Sequence, residues 1–477
     1  MQGAPYDPHT YLNSWAVPSH VEFSALGNLE APLTRESLLE KIITVQRESD
    51  DNVIREGWKD ILNDVHQQAI FLPLWGQRIP YVINRRLDNF VASNQAFTYP
   101  LQSVTIASGP STVTVAPGSG GALFSSVGPM HPHLYAPNEL FVSDWIYEGL
   151  VSYGQDGIIA PALASSWTIE DTADGQRYTF ELRQNVTFHD DTAWNCSVAK
   201  LNFDHILSDV VRERHSWFET ASVLTSWTCS DAGDFVLETN STFYPLLQEL
   251  TYVRPLRFAS AAAFSQGADS DPTEHNSCTP KGFGSSYEHL EEAVTCLGLT
   301  APIGTGPFKY VSREFLEGSE ETCTGTEEDT CVDASVTFAR HEGYWGSLPA
   351  IETLVIQHYE TTDDVYAALE TGDLDMVLGT GPLTPKQVRD IQLLNSTTFD
   401  VVRSEVFQNA LLVMNANKGP TDDINVRKAI VHGIDKAEFI DQEFAGLEQP
   451  INQLLPLTAP YCDVDLNPKW DYDGHSS

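Results

Sequence analysis

Apolar residues recur in two rhythms along this chain. Trp58, Ile61, Leu62 and Val65 stand at helical spacing, which puts all four on one face of a helix. Leu38, Leu39, Ile42 and Ile43 do the same behind Thr34, a residue suited to the N-cap. Short apolar runs at 69–74 and 81–84 read as strands. Tyr178, Phe180 and Leu182 alternate with polar residues just after Asp174-Gly175, the pattern of a half-buried strand leaving a turn. Phe235-Val236-Leu237 and 351–356 predict further strands. Helices are expected over 197–208, 426–434 and 438–444, and through Val365–Leu369 with Gly372 as the stop. This order is α/β without a strict strand–helix repeat.

Residues 102–128 break both rhythms. Gly, Pro and Ser cluster at 108–112 and 117–121 around Thr112-Val113-Thr114-Val115. We expect a linker over 106–120, with at most one short strand. It would separate a segment 1–105 from a unit 121–473. Residues 312–332, polar and Cys-bearing, are expected to be an exposed loop.

Composition narrows the function. The 477 residues correspond to about three domain-sized units. A hydrophobic content of 42% can fill cores. Lys and Arg number 27 against 66 Asp and Glu, a formal charge of −39. That charge repels nucleic acid and anionic lipid. No apolar run reaches the length of a transmembrane helix. Met1–Tyr6 lacks the basic and apolar regions of a signal peptide, so the chain is expected to be a piece of a longer one. Yet sequons at Asn185, Asn195, Asn240 and Asn395, and possible disulfides Cys323–Cys331 and Cys278–Cys296, suit an extracytoplasmic protein.

No nucleophile elbow, zinc-protease motif, P-loop or dinucleotide fingerprint is present, so no enzyme activity is expected. Gly304-Thr305-Gly306-Pro307 reads as a tight turn. His131-Pro132-His133 could ligate a metal, but its proline favours an exposed turn. Cations beside aromatics are more specific. Arg212–Trp217 contains Arg214 beside Trp217, and Arg254-Pro255-Leu256-Arg257 follows the apolar Phe243–Leu247. Such pairs suit a carboxylate-bearing ligand. The competing expectation is local pairing with Glu213, Glu219 or Glu249.

Blocks along the chain resemble the family 5 solute-binding proteins, the receptors that feed peptide and nickel ABC transporters. They include Pro129–Tyr135, Ile146–Val151, Pro161–Trp167, Tyr178–Arg183, Ile303–Phe308, Tyr344-Trp345-Gly346, Glu370–Asp375 and Val426–Ile430. Phe243–Leu250 with Arg254–Phe258, and Gly3–His9 with Val17–His20, resemble the nickel-binding branch. The order is shifted: residues 1–105 resemble the end of such a receptor and 113–473 its beginning and middle. A slice through a tandem array and a permuted unit both fit, and the slice is preferred.

The resemblance implies a two-lobed α/β fold of the periplasmic-binding-protein kind (class II), with one lobe incomplete and a ligand cleft between the lobes. It implies that residues 1–75 lack their partner segment, which would leave the 53–66 stripe uncovered. It implies a receptor in the periplasm or outside the cell, working with a membrane ABC permease and carrying nickel as cargo, held with a small chelator. His20 matches the metal-ligating histidine. Tyr6, Tyr135 and Trp217 match cleft aromatics, Arg254 and Arg214 match cations facing the chelator, and Thr98 matches a polar wall residue. Gln2, Ala136 and Leu140 depart from the pattern. A peptide receptor and an extracellular sensor or adhesion array are the alternatives.

Overall fold

The computed structural model describes residues 7–93, 95, 98–119, 121–128, 130–133, 140–154, 157–207, 219–263, 302–319 and 332–470. Its largest sheet has eight strands. Across it run Phe308–Phe315, Asp333–Arg340, Thr353–Gln357, Thr112–Ser119, Met376–Leu378, Pro80–Asn84 and Phe399–Arg403, and Ala122–Leu123 folds back on Thr112–Ser119.

Thr112–Ser119 therefore lies at the centre of the sheet, parallel to both neighbours, inside the stretch expected to be a linker. The reason is local. Val113 and Val115 alternate with threonines and are fully buried. Gly118 is packed so closely that an added Cβ would stand 2.0 Å from the Thr380 carbonyl oxygen. Glycine here serves close approach rather than looseness. Similarly, 312–315 of the expected exposed loop completes the strand Phe308–Phe315.

A second sheet is antiparallel, in the order Leu224–Cys229, Phe235–Thr239, Gln176–Leu182 and Ala164–Asp171. Tyr178, Phe180 and Leu182 point inward, as their alternation predicts, and join a core with Phe203 of the helix Cys196–Ile206. A disulfide, Cys196–Cys229, ties that helix to the sheet. The pairings expected from sequence, Cys323–Cys331 and Cys278–Cys296, lie outside the described residues.

The third sheet joins Gln408–Val413, Phe71–Gln77 and Gln449–Pro450. Helices Arg35–Gln46 and Asp51–Gln67 pack beside it. Thr34 caps the first: its Oγ1 accepts from Ser37 N at 3.1 Å. The apolar stripe on the second is covered, contrary to expectation. Ile54, Trp58, Ile61, Leu62 and Val65 are buried with Leu454, Leu455, Ala459, Cys462, Val464 and Leu466. The chain's own C-terminal part fills the place left open in the sequence reading.

Two crossings link this sheet to the large one. Residues 77–80 and 403–408 run side by side, with Phe407 N donating to Gln77 O at 3.1 Å and Ser404 N to Ile79 O at 3.0 Å. The result is two lobes between which the chain crosses as a double strand, a geometry used for hinge motion.

Candidate functional site

Of the seven residues that the resemblance implicates, three are described. His20 is exposed at the N-terminus of the short helix Val21–Ala25. Its backbone N–H closes a turn on Val17 O at 2.9 Å, and its side chain makes no capping hydrogen bond. The imidazole is thus not spent on the helix. Thr98 is half-buried and donates its hydroxyl to Gln95 Oε1 at 3.1 Å. Arg254 is half-buried in the segment after Tyr252. Tyr6, Tyr135, Arg214 and Trp217 lie outside the described residues.

Arg254 stands between well-anchored neighbours. Tyr252 meets Thr10 through their hydroxyls at 2.8 Å, and the Arg257 guanidinium donates to Asp144 at 3.1 Å. The competing expectation paired these arginines with Glu213, Glu219 or Glu249; for Arg257 the partner is Asp144, because chain folding brings the helix Leu140–Ile146 alongside.

A buried polar group joins the N-terminal segment to this region. Glu249 is fully buried and accepts from Thr220 N at 2.7 Å, Thr220 Oγ1 at 2.5 Å, Glu219 N at 3.2 Å and His9 Nε2 at 3.0 Å. Gln46 Nε2 donates to His9 Nδ1 at 2.8 Å and to Glu219 Oε2 at 3.1 Å. Three carboxylates surround this imidazole. Burial alone would lower its pKa, but the hydrogen bond and charge of Glu249, with Asp7 and Glu219 nearby, outweigh it and raise the pKa. Burial pushes Asp7 up to about 6.

His9, Glu219 and Glu249 have the residue types of a metal site, with one ligand atom from each within 4.8 Å of the others. The hydrogen bonds above already engage these atoms with one another. We read the group as a clasp between segments. Its sequence signal was weak, because His9 and Glu249 are 240 positions apart.

Several blocks behind the family resemblance converge on a second carboxylate. Thr305 Oγ1 and Trp345 Nε1 each donate to Glu148 Oε2 at 2.8 Å, and Tyr344 OH donates to Oε1 at 3.1 Å. Burial pushes this carboxyl up to about 7. Gly304 and Gly306 form the turn beside it, where an added Cβ would stand 2.0 Å from Ile146 O and 2.3 Å from Trp145 O. The turn predicted at Gly304–Pro307 is therefore a packing device. These blocks hold the fold together rather than offering a nucleophile.

His131-Pro132-His133 is not an exposed turn. Both histidines are buried, together with His205 of the helix Cys196–Ile206. No regularity of spacing links position 205 to positions 131 and 133, so the cluster was not legible in advance.

Comparison with known proteins places this architecture. The model of bacterial extracellular solute-binding proteins, family 5 Middle, matches residues 159–474. The nickel-binding periplasmic protein of Escherichia coli K12 is 30% identical over 348 residues, covering 73% of this chain and 57% of that protein. The dipeptide-binding protein of the same organism is 23% identical over 321 residues, covering 66% of this chain and 53% of that protein. Among solved structures, NikA from Brucella suis in complex with Fe(III)-EDTA superposes with a TM-score of 0.61 at 29% identity, covering 76% of this chain and 62% of that one. The chain thus spans little more than half the length of the curated relatives it matches. Those relatives are binding proteins rather than enzymes. Among the described residues, no helix is long and apolar enough to cross a membrane. With its two-lobed α/β fold and a family match over residues 159–474, the chain belongs to the bacterial family 5 extracellular solute-binding proteins.

Proposed function

We propose that this chain is the extracytoplasmic receptor of an ABC-type uptake system and captures a nickel–chelator complex between its lobes, without catalysis. His20 supplies the imidazole to the metal. Neutral imidazole is a good nickel ligand, and the small chelator fills the other positions. Arg254 and Arg214 face the chelator's carboxylates through charge-assisted hydrogen bonds. Tyr6, Tyr135 and Trp217 wall the complex, and Thr98 lines its polar side. Nickel is cargo here, and a membrane permease receives it.

The observation that carries this reading is the state of His20. It is an exposed imidazole at a helix start, and it is not used as a cap. The nickel-binding relative at 30% identity supports the same ligand class. We also propose that segments 1–105 and 121–473 form one unit, with the central strand Thr112–Ser119 lying between them in the chain. Strands of the first segment pair with strands of the last on both sides of the double crossing, which supports one binding unit containing both His20 and Arg254.

Isothermal titration of nickel(II) with L-histidine tests the proposal. Saturable binding by the wild-type chain, lost in His20→Ala, is the expected result. A chain that is folded by circular dichroism yet ignores nickel–histidine, and instead binds a di- or tripeptide, would establish the peptide-receptor alternative.

A further inference from the structure

His131, His133 and His205 are buried together, and the nickel reading uses none of them. Their ring centroids stand 4.9 to 5.8 Å apart. Hydrogen-bond chemistry assigns a direction to the cluster. His133 Nε2 lies 2.7 Å from Arg257 O. A carbonyl oxygen only accepts, so Nε2 carries the hydrogen. In the neutral ring Nδ1 is then a lone pair, and it faces His205 Nδ1 at 2.7 Å. His205 therefore donates to His133, and His133 donates to Arg257 O. Meanwhile His133 N donates to His131 Nδ1 at 3.0 Å, which fixes the turn itself.

The same helix grips the same segment once more. Asn202 lies three residues before His205, on one face of Cys196–Ile206. Its Nδ2 donates to Ala259 O and its Oδ1 accepts from Ala259 N, both at 2.9 Å. The main chain from Arg257 to Ala259 is thus held by a helix and a buried turn. Arg254 lies three residues before that stretch.

We propose that His133 and His205 are positioning residues: the imidazole pair fixes the main chain at Arg257 and thereby aims Arg254 at a carboxylate-bearing ligand. This rests on the binding reading above, from which the role of Arg254 comes. The facing Nδ1 atoms are at hydrogen-bond distance, so the two imidazoles hold each other in place.

A double-mutant cycle tests it. Nickel(II)–L-histidine is titrated into the wild-type chain, Arg254→Ala, His133→Phe, His133→Gln and the Arg254→Ala/His133→Phe double variant, each checked by thermal melting. His133→Phe is expected to weaken binding roughly tenfold, the size of one lost buried hydrogen bond. His133→Gln, whose amide can still donate to Arg257 O, recovers part of that loss. In the Arg254→Ala background His133→Phe adds no further loss, because it acts through Arg254. Equal losses in both backgrounds would reduce His133 to a structural role and overturn the proposal. So would nitrogen NMR of the wild-type chain showing the hydrogen of His133 on Nδ1. A wild-type chain that does not bind nickel–histidine sinks the nickel reading and this inference with it, whereas additive losses in a binding chain sink the inference alone.

Discussion

Glu148 shows how a single side chain serves packing and pH response together. Its carboxyl is pushed up to about 7 by burial, against an ordinary value of 4.5. The folded state therefore holds the proton more tightly than the unfolded state, and stability is greatest in acid. That contribution is complete below about pH 4.5 and is lost as pH rises through about 7. Asp7, pushed to about 6 from 3.8, acts in the same sense at lower pH. Glu148→Gln should flatten the dependence of the urea midpoint on pH between 5 and 7.5, and be more stable than wild type at the upper end. An unchanged slope would show that the carboxyl is ionised throughout. At this scale His20 was singled out only through resemblance, since an exposed histidine in a turn has no signature of its own, whereas Arg254 stood out beforehand as a cation following an apolar, aromatic run; both roles are proposals. The His9–Glu249 clasp and the His133–His205 pair were not legible, because contacts across 240 and 72 positions leave no local pattern.

Elements were far more legible than contacts. The stripe of Trp58, Ile61, Leu62 and Val65 became the buried face of Asp51–Gln67, and the Tyr178, Phe180 and Leu182 alternation became a strand. Gly372 ends its helix in the left-handed region at φ 82°, where side chains with a Cβ are strained. Each of these signals is local: period, cap or stop. Trp58 also donates to Tyr244 OH at 2.7 Å, so it ties the helix to the Phe243–Leu247 stretch as well as to its own core. Trp58→Ala should cost about 3–5 kcal/mol, read as a lowered denaturant midpoint. Gly304→Ala tests the turn: its Cβ would meet the Ile146 carbonyl, and a loss of about 1–3 kcal/mol or more is expected in the same assay. The misjudged element was Thr112–Ser119. Gly and Pro around a β-branched run look like a linker when read alone, and only its parallel neighbours make it a central strand.

At the scale of the whole molecule, the two segments of this chain fold into each other. Pro80–Asn84 lies between Met376–Leu378 and Phe399–Arg403, and Phe71–Gln77 pairs with Gln408–Val413. Neither sheet is whole without both segments, so unfolding should couple them. Tryptophan fluorescence and far-ultraviolet circular dichroism are expected to report coincident guanidinium transitions, and separated transitions would mean independent units. By itself the sequence determined the class, the element types, the acidic surface and, through its ordered blocks, the family, because periodicity, capping and composition act over a few residues. The tertiary structure alone decided what covers the 53–66 stripe, that the glycine-rich stretch is a central strand, and which buried histidines and carboxylates meet. Those outcomes depend on bringing together positions hundreds of residues apart, and the free energy of such contacts resides in the packed arrangement rather than in any stretch of chain.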